Sequence, residues 1–298
     1  MIRRATTRWS WSTLSRLREL MSNSTVRARS GAWSATRRGG RLTLAALAMG
    51  ASLSTLPQSA PAQVSVDEAE LFLAPGGSGE RVVGSFNITN EGKDLAQVTI
   101  YLSDWDRQAN GEHRFVPSGT LPGSCAPHLH LFPQSLRLAA GRRQAVRAEV
   151  TGADSLKSAC WSIAFVETSA LQKGAGRQVT YVTRLGVKIY VLPPGLTKEG
   201  EVEDIAVQPG DSGRTRIAIT FHDVGGLPLR VHGTMEYRRP DNSVARTDSI
   251  AEFPVLPGAR RRVAVPIPRL APGSYMALAL LDYGGAEIAA AQIAVRVP

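Results

Sequence analysis

From residue 64 to the end of the chain, short runs of β-branched and aromatic residues recur about every ten residues. Glycine, proline and asparagine punctuate the runs. Val82–Thr89 and Val98–Leu102 alternate apolar with polar, and Pro75-Gly76-Gly77 and Asn90-Glu91-Gly92 punctuate them. Leu129–Leu138, Ala145–Val150, Cys160–Val166 and a longer run, Val179–Val191, follow. No long stretch carries the 3.6-residue apolar period of an amphipathic helix. A chain written this way buries its apolar rows by stacking sheets, so the expected class is all-β, of sandwich type.

Leu192-Pro193-Pro194-Gly195 interrupts the pattern with a short, stiff segment. Strand-like runs then restart at Ile205–Val207, Ile217–Phe221, Leu227–Tyr237, Val263–Ile267, Tyr275–Leu281 and Ile288–Val297. Pro240-Asp241-Asn242 and Tyr283-Gly284-Gly285 read as hairpin turns. Two sandwich domains are expected, spanning 63–192 and 193–298 and joined by a Pro-containing elbow.

The first 62 residues have a different character. Residues 1–41 hold ten arginines and one acid, Glu19. An apolar run from Leu42 to Leu56 follows, then Ala60-Pro61-Ala62. Basic, apolar and small-residue segments in that order read as a secretory signal peptide over 1–62, with Met21 an alternative start. The apolar run is short and rich in small residues, so no membrane span is expected in the mature chain. Arg37-Arg38 opens a twin-arginine alternative that lacks the apolar residue expected next.

The leader also accounts for the charge. The full chain has 35 basic and 25 acidic residues. Taking ten and one of these away with residues 1–62 leaves 25 and 24, a net charge of +1. The charge of the exported chain therefore argues against nucleic acid as a partner. Its two cysteines, Cys125 and Cys160, are expected to form a disulfide in an oxidising compartment, the alternative being two buried thiols.

Catalytic patterns are missing from the sequence: no nucleophile elbow, phosphate loop, dinucleotide fingerprint or zincin helix. His128-Leu129-His130 places two imidazoles on one strand face without a third ligand, so the expectation is a solvated face. Asp104 and Asp106 flank Trp105 and are expected to cap a turn. No cofactor, no metal and no catalytic residue is expected, and the function is binding.

Several stretches carry a resemblance. Leu131-Phe132-Pro133-Gln134-Ser135-Leu136-Arg137-Leu138-Ala139-Ala140-Gly141, followed by Gln144-Ala145-Val146-Arg147, is one. Val187-Lys188-Ile189-Tyr190-Val191-Leu192-Pro193 is another, with Asn87-Ile88-Thr89-Asn90 and Asp104-Trp105 in order before it. Together they resemble the periplasmic pilus and fimbrial assembly chaperones over residues 64–195. Residues 196–298 match by architecture.

The resemblance implies two immunoglobulin-like domains, a periplasmic location, and pilus or fibre subunits and an outer-membrane usher as partners. Such chaperones lend an edge strand to a subunit that lacks one. Backbone hydrogen bonds supply affinity and alternate side chains enter the subunit groove. Here Val179–Val191 would be that strand, with Val179, Tyr181, Thr183 and Leu185 as the row entering the groove. Lys188, helped by Arg184, would anchor the client's terminal carboxylate. Gly174-Ala175-Gly176 suits a loop leading to such an edge.

The chain departs from the family in three places. The first strand reads Val66-Asp67-Glu68-Ala69-Glu70-Leu71, acidic where the family carries an anchoring Arg. Leu192 stands where many members have an Arg for an interdomain salt bridge, and Thr183 interrupts the apolar row. The alternative reading is an exported structural or adhesive sandwich of a surface assembly.

Overall fold

The computed structural model describes residues 7–10, 64–76, 80–153, 156–174, 177–210 and 214–298, without side chains at 7–10 and 170–179. Every regular element among them is a strand, and no helix is long and apolar enough to cross a membrane. The leader expected over 1–62 lies outside these residues except for β1 (Thr7–Ser10), which pairs antiparallel with Glu287–Ala290.

The first half contributes β2 (Val64–Val66), β3 (Glu70–Leu73), β4 (Val82–Asn90), β5 (Ala96–Arg107) and β6 (His113–Pro117). It continues with β7 (Leu129–Phe132), β8 (Ser135–Leu138), β9 (Arg143–Val150), β10 (Cys160–Gly174) and β11 (Arg177–Val191). One sheet runs β2-β4-β9-β7; the other runs β3-β11-β10-β5-β6, with β8 also on β5. Alternation along each strand sends one row inward. Phe86, Ile88, Ile100, Val146, Val166, Val187 and Ile189 form the packed centre between the sheets.

The second half contributes β12 (Gly200–Pro209), β13 (Thr215–Asp223), β14 (Leu229–Arg238), β15 (Val244–Val255), β16 (Arg260–Pro266), β17 (Gly273–Asp282) and β18 (Glu287–Val297). Its sheets are β12-β13-β16 and β1-β18-β17-β14-β15, closing over Ile217, Ile219, Phe221, Val231, Met235 and Leu281. The molecule is thus all-β, two immunoglobulin-like sandwiches joined by a Pro-containing elbow.

Two expectations change. The run Leu129–Leu138 is two strands in different sheets, broken at a cis peptide between Phe132 and Pro133. Proline cannot donate to a ladder, so the chain changes sheet there. The strands at His113–Pro117 and Val244–Val255 also escaped the sequence reading. Both lie at sheet edges, and most of their side chains are half-buried or exposed, so neither shows a strong apolar row. The turn at Pro240-Asp241-Asn242 is as expected: Asn242 has φ 66° and Asp241 Oδ1 accepts the Ser243 N–H at 3.0 Å.

Cys125 and Cys160 are bonded, with Cα atoms 5.0 Å apart. Both are buried in the first core. Asp104 caps a loop, as expected. Its carboxylate accepts the Thr120 and Leu121 N–H groups at 2.7 and 2.9 Å and the Ser124 hydroxyl at 2.6 Å. Asp106, against expectation, caps no turn among the described residues and pairs with Arg114 across the β5–β6 hairpin. The disulfide closes a sequence separation of 35 residues. Replacing both cysteines with serine is expected to cost about 3–4 kcal/mol in the chain-entropy picture. A urea unfolding series on the oxidised protein and the double variant measures it; an unchanged midpoint would refute a stabilising role.

The two sandwiches meet over an apolar cluster of Trp105, Trp161, Ile163, Phe165 and Tyr190 from the first and Leu256 from the second. Backbone bonds cross the junction as well. Ala159 N–H donates to Gly226 O at 2.8 Å, and Arg262 N–H donates to Ala109 O at 2.8 Å. Asp223, fully buried at the end of β13, lies three residues before that Gly226 contact. Its Oδ1 accepts the Gly225 N–H at 3.0 Å, while its Oδ2 has no partner among the described residues. Burial pushes its carboxyl up to about 7.

Candidate functional site

The strand β11 is covered unequally along its length. On one side β10 pairs with all of it, from Gly174↔Arg177 to Cys160↔Val191, without a break in register. On the other side β3 covers only Lys188–Val191, in parallel. Lys188 N–H donates to Ala69 O at 3.0 Å, where that cover begins. Among the described residues, no strand pairs with 177–187 on this side. Backbone groups alternate in direction along a strand, so those of Gly186, Arg184 and Val182 point to the open side, as Lys188's do. The partner strand is bare too beyond Thr168, where its pairing with β5 stops. A two-stranded arm therefore projects past the rest of the sheet, and its connecting residues 175 and 176 lie outside the described ones.

The two faces of β11 differ. Val187, Ile189 and Val191 are core. The same row continues through Leu185, half-buried against that core, and half-buried Thr183 to Tyr181, whose exposure is 52%. Val179 shares the row by parity, though its side chain is not among those described. The apolar row thus runs from the protein's interior out along its open edge. The opposite row holds Arg184, Gly186, Lys188 and Tyr190, facing the domain junction. A Cβ at Gly186 would lie 2.6 Å from Ile163 Cδ1, so a side chain there would have to displace the end of Ile163.

Arg184 and Lys188, which share one strand face, keep different carboxylate partners. Arg184 donates from Nε and Nη2 to Glu167 Oε2 at 2.9 and 2.8 Å and lies over Phe165, 5.2 Å from the ring centre. Lys188 Nζ lies 3.6 Å from Glu70 Oε1 and 4.9 Å from the centre of the Trp105 ring. Glu70 also pairs with Arg230 of the second sandwich, whose other arm reaches Glu252 at 3.0 Å. The interdomain ion pair missing at Leu192 is thus supplied elsewhere, and Leu192 packs against the junction cluster instead.

Glu70, Trp105, Leu192 and Arg230 line a cleft of ≈ 240 Å³ between the sandwiches, with Phe72, Arg107, Tyr190 and Lys198 also on its walls, and Lys188 reaches Glu70 beside it. Phe72 and Tyr190 stack at 4.9 Å. Arg107 Nη1 donates to Gly111 O at 2.9 Å and Nη2 contacts His113 Nε2 at 2.8 Å. Trp105 Nε1 and Arg107 Nε are buried without a partner among the described residues. Burial lowers the Lys188 pKa, Arg107 and Arg230 lower it further, and Glu70 opposes them. Burial, then Arg107 and Lys188, lower that of His113. Burial first, then Glu70, raises that of the Tyr190 phenol.

The sequence shows Glu70 only as part of an acidic first strand and does not single out Arg107 or Arg230. Arg107 shares a strand face with Trp105, a parity visible in the sequence. Arg230 arrives only through domain docking, which no local pattern encodes. His128 Nδ1 meets Thr151 O at 3.2 Å, and His130 is exposed.

No protein-family model matches the sequence, and no curated protein matches it. Solved structures resemble it in shape. The class 5 fimbriae chaperone CfaA is 12% identical, with a TM-score of 0.45 over 79% of this chain and 99% of that one. The CsuC–CsuE chaperone–tip adhesion subunit complex of archaic Csu pili from Acinetobacter baumannii gives 11% and 0.43, over 78% and 98%. The YadV chaperone gives 13% and 0.42, over 79% and 100%. These values lie below those at which residue roles carry over, so the site is read from its own geometry.

Proposed function

We propose that this chain captures an extended segment of another polypeptide as an added strand along residues 177–187. The client is a pilus or fibre subunit, met in the periplasm after export and passed on to an outer-membrane usher. The observation that carries the reading is the open edge of β11, long, regular and free of proline and bulges. Natural proteins blunt such edges with proline, bulges or charge, because a bare edge invites aggregation. The second sandwich does so. Pro254 interrupts β15, whose register with β14 shifts twice, and β16 ends in Pro266 with its Arg262 N–H taken by Ala109. By contrast, Arg177–Val187 contains no proline and no bulge. Retention of such an edge makes physical sense where a partner strand is meant to complete it.

In this reading Val179, Tyr181, Thr183 and Leu185 face the client groove and Lys188 receives a carboxylate at its base. Arg184 stays on Glu167 and acts as a flank. Lys188→Ala is expected to weaken capture by about 2–5 kcal/mol, the usual loss for one partner of a buried charge pair. The test is purification from the periplasm in three forms: wild type, Lys188→Ala and Tyr181→Glu. A β-rich subunit that co-purifies with the wild type, less with the first variant and not with the second, supports capture. A stable stoichiometric fibre, or equal recovery with all three, overturns it in favour of a structural or adhesive role.

A further inference from the structure

The cleft at the domain junction already holds a carboxylate of its own. Glu70 sits in register with Lys188, and its two oxygens divide between Lys188 and Arg230. We propose that Glu70 is a built-in occupant of this cationic cleft, so that an external carboxylate enters only by displacing it. The inference rests on the capture reading for the visitor's identity, a carboxylate presented by a client polypeptide.

The balance of groups supports an exchange. Arg107, Lys198 and Arg230 on the walls, with Lys188 beside Glu70, bring positive charge, against Glu70 itself and the Glu252 that Arg230 holds. Two of the lining residues carry a buried group without a partner among the described residues, Trp105 Nε1 and Arg107 Nε, and both are donors. The cleft is therefore short of acceptors, which is what a carboxylate supplies. Two carboxylates on one lysine repel, so the two occupancies exclude each other.

Glu70 is also placed to leave. It opens β3, directly after exposed Asp67, Glu68 and Ala69, and β3 is held to β11 through its backbone. Its departure strands no charge. Arg230 keeps Glu252, and Lys188 gains the visitor's carboxylate. A small free carboxylate has nothing to offset the loss of the internal pair. A client already zipped along 177–187 does, because its carboxylate arrives at high effective concentration.

The experiment uses sodium acetate as probe and acetamide as neutral control at fixed ionic strength. The readout is the NMR shift of the Trp105 indole N–H in wild type, Glu70→Gln and Glu70→Ala. Both variants are expected to bind acetate saturably, at least about tenfold more tightly than the wild type, since a like charge beside the site is removed. Adding Lys188→Met to Glu70→Gln should erase that binding. Equal affinity in wild type and variants, or no saturable binding in any of them, overturns the proposal. The capture reading fails separately. If Tyr181→Glu still captures its client while Glu70→Gln gains acetate binding, that reading falls and the role of Glu70 stands.

Discussion

Replacing Tyr181 with glutamate is expected to abolish client capture while changing the stability of the free protein by no more than about 0.5 kcal/mol, the usual range for an exposed position. The asymmetry follows from where the side chain sits in each state. In the free protein Tyr181 is 52% exposed, at the solvent end of a row whose other end, Val187 to Val191, is core. A glutamate there stays hydrated. In the captured complex the same position faces an apolar groove, and a buried, unpaired carboxylate is far costlier than a lost tyrosine contact. Thermal melts and pull-down on one preparation, with Gln97→Glu on an exposed face as control, measure both halves. If the variant unfolds while the control folds normally, Tyr181 is part of the core and β11 is no donor.

Stability is expected to fall as pH rises from about 4 to about 7 by up to roughly 4 kcal/mol through Asp223 alone. The buried carboxyl titrates at about 7 in the folded protein against an ordinary value of 3.8. Between those values the folded state holds a proton that the unfolded chain has released, so deprotonation favours unfolding. Below about 4 both states are protonated and the group costs nothing; above about 7 the full cost is present. Asp67, Glu167 and Asp241, whose carboxyls are lowered by hydrogen bonds first, act in the opposite sense at lower pH. The clean observable is therefore the difference between wild type and Asp223→Asn. Asparagine keeps an acceptor for the Gly225 N–H but does not titrate, so the difference in unfolding free energy should grow in the variant's favour from pH 4 to pH 8. A difference independent of pH would show that the carboxylate is relieved of its burial.

Much of the fold was legible because sheets encode themselves in period two. Val82–Asn90, the core half of β11 and most strands of the second sandwich stand out as alternating apolar rows between turn residues. What stayed hidden is instructive. Val244–Val255 is an edge strand with Pro254 inside it, and its pattern is the one that protects an edge, which mimics a loop. The candidate site was legible by halves. The parity that separates Tyr181 from Lys188 is written in the sequence, and so is an acidic first strand. That Glu70 meets Lys188 depends on a four-residue parallel pairing, and that Arg230 completes the cluster depends on how two sandwiches dock. Contacts across such distances leave no local trace.

Tyr181 and Lys188 belong to one continuous strand whose lower end is clamped on both sides, so the separation between them is fixed. At ~3.3 Å per residue it amounts to about 23 Å. The strand is in effect a gauge. If the strand captures clients as proposed, one whose terminal segment is shorter than this would reach the apolar row or the cleft, but not both, and subunits would be sorted by length before any side chain is read. Inserting two residues after Thr183 would keep every side chain on its face and lengthen the gauge by about 7 Å, selecting for a longer terminal strand.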